Sequence, residues 1–425
     1  MSASIPPKID EPTRHGFLTT YPPFRKWRTE AVDRFLEARP LNIYLHTPYC
    51  VQRCEYCFYK VTPLGEHRKT EIDRYVDALC KEIELATHRF HLNEQVVKTV
   101  YFGGGTPTLL TNDNMSRIFE TLHRNLRIVD PEITVEATPG TMVQRKADHL
   151  KSLGVNRISM GVQSFTDEIV AKTGRANTDS SVRKAVDIAK GTASTVNIDL
   201  MSGLAGETDE TWAYSLARAV ESDVHSITVY KTEVYANSGY FVDIKRNKLT
   251  LPSDEAELRF MDRAISHFES AGYHPVNFYT FTKGGGHVQE HTTSFWHGRD
   301  TYGFGVSSYG LLRGHALQNT MELPRYLDRL EAGHLPLTRG HQLTMRELMT
   351  RELVLALKGI HFDRKDFRRR YGFDVVSFCK PTIDGLAADG LLSVEGDRLS
   401  LTRKGILWGD YVGHCLASAM ESLDF

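Results

Sequence analysis

Three cysteines, Cys50, Cys54 and Cys57, stand in a C-x3-C-x2-C run directly after the apolar stretch Asn42-Ile43-Tyr44-Leu45-His46. Three thiolates can hold a four-iron cluster by three of its corners, which leaves the fourth iron open to a substrate or cofactor. The close spacing suits one compact loop at a strand exit. A structural zinc site is the other reading, with His46, four residues before Cys50, as a fourth ligand. A disulfide fits poorly, because three closely spaced thiols leave one over.

Further along the chain, Gly103-Gly104-Gly105-Thr106-Pro107 forms a glycine run. Glycine lets backbone amides and carbonyls approach a ligand closely. No Gly-Lys-Ser/Thr follows, so the run is not a phosphate loop of the nucleotide-hydrolase kind. Glu136, Gln163, Arg175 and Asp199 are polar residues at or just beyond apolar runs. Facing one rim, they can bind a ligand that carries amines, a carboxylate and ribose hydroxyls. Gly303-Phe304-Gly305-Val306-Ser307-Ser308 is a second glycine-containing loop.

The elements that must position these residues alternate. Short β-rich runs cover 42–46, 97–102, 132–137, 156–160, 195–200 and 226–231. Amphipathic stretches such as 70–88, 114–126 and 207–221 lie between them. Six β–α units in series imply a parallel sheet with right-handed crossovers, either doubly wound or curved into a barrel. Chemistry on such a sheet belongs at the C-terminal strand ends, and there the cysteines, the glycine run and the polar residues fall. From 345 onward the pattern changes to three helical stretches around a hairpin, with the turn Glu395-Gly396-Asp397 between alternating apolar residues. This predicts a small α+β, winged-helix-like domain that supports the barrel rather than binding DNA. The expected division is an N-terminal segment over 1–40, the parallel-sheet domain with its extension over 41–335, which the resemblance described below makes an arm and a barrel, and the C-terminal domain over 336–425.

The chain has 425 residues, 41% apolar and 25% charged, with a net charge of −1. Such a chain buries a large core. The balance gives no general pull toward nucleic acid or an anionic membrane. No stretch reaches the ~20 apolar residues of a membrane-spanning helix, and residues 1–8 lack the apolar core of a signal peptide. Six cysteines in so long a chain are no disulfide framework, which predicts a reducing, cytoplasmic setting. Cys80, Cys379 and Cys415 are expected to be ordinary buried thiols.

Taken together, these motifs resemble a known family. The cysteine triplet resembles the signature of radical S-adenosylmethionine (SAM) enzymes. Tyr44-Leu45-His46-Thr47-Pro48-Tyr49-Cys50, the run at 103–107, Met160-Gly161-Val162-Gln163-Ser164-Phe165, Asn197-Ile198-Asp199-Leu200 and the loop at 303–308 resemble the oxygen-independent coproporphyrinogen III oxidase group. The resemblance implies an α/β fold, a partial (β/α)6 barrel. It implies a [4Fe–4S] cluster on Cys50, Cys54 and Cys57 whose open iron chelates one SAM. Tyr44, Tyr56, Gly104, Gly105, Thr106, Glu136, Gln163, Arg175 and Asp199 match positions lining that SAM. Met201, Lys231 and Tyr309 match positions around a second SAM, although Lys231 stands where the family has a small residue.

The chain departs from the oxidases after the third cysteine, where Phe58-Tyr59 replaces Gly-Cys. Thr19-Thr20-Tyr21-Pro22 resembles the oxidases' N-terminal arm. This combination resembles the related class C methylases. It implies a C-methyltransferase or cyclopropanase acting on an sp2 carbon of a natural product through a SAM-derived methylene radical. Tyr21 and Tyr309 would then serve as proton or orientation groups. The alternatives are a coproporphyrinogen oxidase, with Arg25 and Arg28 as candidate propionate partners, a heme-degrading methylase and a heme chaperone. The expected partners are a small-molecule substrate and an electron donor such as flavodoxin or ferredoxin, with no nucleic acid and no membrane, for a monomer.

Overall fold

The computed structural model describes residues 40–64 and 68–422. The proposed arm, with Tyr21, Arg25 and Arg28, lies outside the described residues.

Six strands follow one another in parallel: β1 (Pro40–Thr47), β2 (Val96–Gly104), β3 (Arg127–Ala137), β4 (Arg157–Gln163), β5 (Thr195–Ser202) and β6 (Ser226–Lys231). Each carries apolar residues to the outer face, where helices such as α1 (Arg68–Phe90), α2 (Asn112–Asn125) and α3 (Asp209–Glu221) cover them. The other parity is polar. On β5, Val196, Ile198 and Leu200 are buried in the core, while Asn197 and Asp199 point to the opposite face, as the two-residue period of a strand requires. Asn197 bonds Ser159 on β4 at 3.0 Å and accepts from Ser226 on β6 at 2.7 Å. The inner face is therefore a hydrogen-bonded polar layer, and buried polar groups persist only when paired in this way.

A seventh parallel strand, β7 (Asp300–Phe304), pairs with the free side of β1. It corrects the sequence reading of this segment as loop alone: 303–304 end the strand, and the turn begins after them. Antiparallel strands extend both edges, Thr280–Lys283 and Tyr273–Pro275 beside β6, and Tyr309–Leu312, His315–Asn319 and Leu337–Gln342 beyond β7. The sheet is an open, partial barrel.

Residues 345–421 fold around a separate apolar cluster that includes Leu353, Phe362, Phe367, Leu399 and Leu416. Leu392–Glu395 and Arg398–Leu401 form the expected hairpin, and His361–Asp363 adds a third strand. The segment contains six α-helices and one 3-10 turn rather than three helices, the last being α4 (Gly409–Glu421). Short breaks, such as Gly372 with its left-handed backbone, divide what reads as continuous apolar periodicity. Phe278 donates its N–H to the Lys358 carbonyl (3.1 Å), and Arg403 pairs with Asp262 (2.8 Å) and Glu269 (3.1 Å). These contacts hold the C-terminal domain against the barrel mouth.

One buried carboxylate ties the β7 turn to α1. Glu82 accepts from the Gly305 N–H at 2.8 Å, Asn319 Nδ2 at 2.7 Å and the Tyr326 hydroxyl at 2.6 Å. Burial pushes its carboxyl up to about 7 despite these three donors. Its folded pKa lies above the unfolded one, so its contribution is complete below about pH 4.5 and is lost as pH rises through about 7. Replacing Glu82 by Gln removes the titration. The stability difference between wild type and Glu82→Gln, read by denaturant unfolding, should shrink by about 2–3 kcal/mol from pH 5 to pH 8. A difference independent of pH would refute this.

Candidate active site

The cysteine loop is built by the end of β1. Tyr49 is buried edge-on against Tyr75, and Tyr49–Cys50 forms a short bridge with Thr62–Pro63 that closes the loop. The Cys57 N–H donates to the Cys54 carbonyl at 3.1 Å, which curls the loop inward. The glycine run straps it down from β2. Gly105 N–H donates to Thr47 O at 2.6 Å and Thr106 N–H to Tyr49 O at 2.8 Å. A Cβ on Gly105 would stand 2.5 Å from the Tyr49 carbonyl oxygen, which is no allowed contact. Thr106 Oγ1 reaches Cys50 Sγ at 3.6 Å.

All three cysteines line one cavity of about 1220 Å³. Burial pushes the Cys50 thiol up to about 11 and raises Cys57, so iron binding must displace their protons. His46, the candidate fourth zinc ligand, does not join them. Its Nδ1 meets the Tyr44 hydroxyl at 3.0 Å, its ring packs under Gly104, and burial lowers its pKa to about 4. Among the described residues no three His, Cys, Asp or Glu side chains converge as ligands of one metal ion. Three thiols lining one cavity, with His46 engaged by Tyr44 instead of standing as a fourth ligand, suit three corners of a cluster.

The polar rim forms from four elements. Gly104, at φ +105°, turns its N–H to Glu136 Oε2 at 3.1 Å, and Tyr101 donates to Glu136 Oε1 at 2.6 Å. Burial raises the Glu136 carboxyl to about 7, with the nearby Asp199 charge adding to it. Asp199 accepts from Ser159 Oγ at 3.1 Å and Asn197 Nδ2 at 2.8 Å, and burial raises it to about 6. Arg175 donates to the Gly161 carbonyl at 2.8 Å and faces Cys54 and Tyr56, while its Nε is buried without a partner. Gln163 sits at φ +71°, a costly conformation for a residue with a side chain, of the sort stored at functional sites. This set of buried acids, an amide and a part-satisfied guanidinium fits a zwitterionic cofactor beside a cluster.

Tyr56, Gly104, Gly105, Thr106, Glu136, Gln163, Arg175, Asp199, Met201 and Lys231 all line the same cavity. Glu136 and Asp199 sit within their strands rather than at the ends, because β3 and β5 run one and three residues further. Met201 shares the face of Asp199 and packs with Leu204, Ile169 and Tyr56. Two residues are not brought in. Tyr44 bonds His46, and Tyr101 stacked at 5.9 Å takes the lining position. Tyr309 is 64% exposed beside Phe295, outside the cavity lining. Tyr21 lies outside the described residues.

Sequence reasoning missed the outer wall. Phe58 stacks on Tyr59 at 4.2 Å and meets Tyr235 at 4.4 Å. Tyr230 lines the same mouth, and Trp408, Tyr411 and His414 reach it from the C-terminal domain. The signal was present in the adjacent aromatics at 58–59 and in the i, i+3 spacing of Trp408 and Tyr411. Only the docking of the C-terminal domain makes them neighbours.

The model of the radical SAM superfamily matches residues 44–219, and that of the HemN C-terminal domain matches 343–408. The heme chaperone HemW of Synechocystis sp. is 31% identical over 280 residues, 65% of this chain and 67% of that one. The oxygen-independent coproporphyrinogen III oxidase of Salmonella typhimurium is 29% identical over 401 residues, 89% of this chain and 85% of that one. The solved coproporphyrinogen III oxidase (HemN) from Escherichia coli superposes with a TM-score of 0.78 at 26% identity, over 90% of this chain and 91% of that one. These likenesses overturn the natural-product methylase or cyclopropanase reading, since the similar proteins are an oxidase of coproporphyrinogen and a heme chaperone. The departure that carried it, Phe58-Tyr59, is a stacked aromatic wall of the cavity, a feature of ligand shape that says nothing of methyl transfer.

Proposed function

We propose that this chain, which belongs to the radical SAM superfamily and within it to the oxygen-independent coproporphyrinogen III oxidase and HemW group, acts on a tetrapyrrole. The chain is a radical SAM enzyme by family, with a [4Fe–4S] cluster and SAM as its cofactors. One observation carries the proposal: a continuous cavity joins three thiols, a zwitterion-sized polar rim and an aromatic outer wall. Its volume of about 1220 Å³ exceeds the ~300–1,000 Å³ of a pocket for one small ligand. A cofactor and a flat macrocycle can share it.

Cys50, Cys54 and Cys57 would hold the cluster, and Glu136, Gln163, Arg175 and Asp199 would hold SAM. Bound together, the two cofactors supply one-electron chemistry that removes hydrogen from an unactivated carbon. The protein's residues bind and orient. The rim positions the cofactor, Phe58, Tyr59 and Trp408 offer faces for a ring to stack upon, and the C-terminal domain shields the reacting atoms from water. A second SAM beside Met201 and Lys231 belongs to this proposal, as do a flavodoxin or ferredoxin donor, a monomeric state and a domain boundary near residue 336. Among the described residues no helix is long and apolar enough to cross a membrane.

The test is anaerobic incubation of the cluster-loaded chain with SAM and reductant, with and without coproporphyrinogen III, heme or protoporphyrin. A tetrapyrrole-dependent rise in 5′-deoxyadenosine, with a modified tetrapyrrole, is the expected result. Failure of every tetrapyrrole to bind or to alter SAM cleavage would reject the reading. The HemW likeness favours a second reading, a heme-binding chaperone, which predicts a Soret band on heme titration without any change in SAM cleavage.

The rim also predicts a pH dependence. SAM is cationic, so it favours the ionised forms of Glu136 and Asp199, whose carboxyls lie at about 7 and about 6 without it. Binding should lower both and release protons. Affinity should therefore rise as pH climbs from about 5.5 to about 8, by up to ~tenfold per unit for each proton released. Calorimetry in two buffers of different protonation heat measures that proton count, and a count of zero at pH 6.5 would contradict the assignment.

A further inference from the structure

The outer half of the cavity differs in charge from what a polycarboxylate needs. Its charged lining, among the described residues, consists of Glu233, Asp254, Glu257 and Asp410 against Lys231 and Lys358, four acids to two bases. Both bases are already committed. Lys231 Nζ lies 3.6 Å from Glu233 and 3.5 Å from Glu257, and Lys358 Nζ lies 3.4 Å from Asp410. Deeper in, Arg175 is turned to Gly161, Cys54 and Tyr56. Among the described residues the outer wall therefore keeps a residual negative charge and both of its lysines already pair with acids, while the aromatic surface is broad.

We infer that this cavity selects a flat tetrapyrrole with few carboxylates, of the dicarboxylate porphyrin class, and discriminates against a tetracarboxylate of the coproporphyrin class. The inference rests on the tetrapyrrole reading above and sharpens it. Placing carboxylates against an acidic wall sets like charges side by side, a cost that grows with each one brought in. A dicarboxylate can lay its apolar edge on Phe58, Tyr59 and Trp408 and keep both acids at the open mouth. A tetracarboxylate of this class has an acid on every pyrrole ring, so burying its ring in the cavity brings more of them to the acidic wall.

The experiment titrates the full, cluster-loaded chain with protoporphyrin IX and with coproporphyrin III, following tryptophan quenching and the porphyrin band. Because the full chain is used, any charge supplied by residues 1–39 is included. The expected result is at least tenfold tighter binding of protoporphyrin. Protoporphyrin is also the more apolar ring, so charge is separated from hydrophobicity in two ways. Raising salt from about 0.05 to about 0.5 M should narrow the ratio severalfold by screening. The variant Glu233→Gln/Asp254→Asn should narrow it too, by tightening coproporphyrin more than protoporphyrin. Iron content confirms that the variant is folded, and the salt series needs no variant. Equal or tighter binding of coproporphyrin, or a ratio unmoved by salt and by substitution, overturns the inference while leaving a tetrapyrrole site in place. Absence of binding by either porphyrin overturns both.

Discussion

Replacing Cys50, Cys54 and Cys57 together by Ala will leave a folded chain that takes up no cluster and cleaves no SAM. Wild type should gain about four irons per chain on anaerobic reconstitution, and the triple variant none, because thiolates are the ligands of such a cluster. The fold should survive. The cysteines are part-exposed at the cavity wall, and the loop is held by Tyr49, by the bridge to Thr62–Pro63 and by backbone bonds from Gly105 and Thr106. Iron analysis, the visible spectrum and a melting curve read the three parts of this result. A full complement of iron in the triple variant would refute the assignment. Zinc without iron in wild type would return the loop to the zinc reading, with His46 forced to leave its place under Gly104.

Asp199→Ala should be nearly as damaging, with the cluster intact. Asp199 is buried on β5 with Ser159 and Asn197 donating to it. A charge-assisted hydrogen bond to a cationic cofactor contributes ~1.5–3 kcal/mol, so its loss should weaken SAM binding ~10- to 150-fold. Iron content should match wild type, because Asp199 touches no cysteine. Met201→Ala, two residues on and facing the same cavity, should behave differently. It removes an apolar contact beyond the first cofactor, so it should lower tetrapyrrole turnover more than uncoupled formation of 5′-deoxyadenosine. The measured quantity is the ratio of 5′-deoxyadenosine to product in each variant. Wild-type SAM cleavage by Asp199→Ala would remove this rim as the cofactor site. Equal losses of both products by Met201→Ala would take away its separate role.

Much of the site could be read before any coordinates. Ligand spacing is local, so Cys50, Cys54 and Cys57 declare themselves by position. The six parallel strands follow from short β-rich runs separated by amphipathic stretches, and Ser226–Lys231 matches its expected bounds. Strand parity sends Asp199 one way and Ile198 and Leu200 the other, and this too needs only the sequence. The seventh strand was harder. Asp300–Phe304 is short, glycine-bearing and followed by a turn, and it is a strand only because β1 has a free edge for it to pair with.

What the tertiary structure decided is which polar and aromatic residues share space. The resemblance assigns Tyr44 and Asp199 alike to the first SAM. Asp199 faces open cavity, whereas Tyr44 is covered by Tyr101 and bonded to His46. The resemblance sets Lys231 beside a second SAM, but Glu257, from a helix 26 residues on, shares it with Glu233. Phe58 and Trp408, 350 residues apart, form one mouth only because the C-terminal domain docks through Phe278, Lys358 and Arg403. The sequence by itself determined the cluster loop and the parallel sheet, since both arise from contacts near in the chain. The cavity's size, its aromatic wall and its residual charge arise from packing between distant segments, which no local pattern encodes.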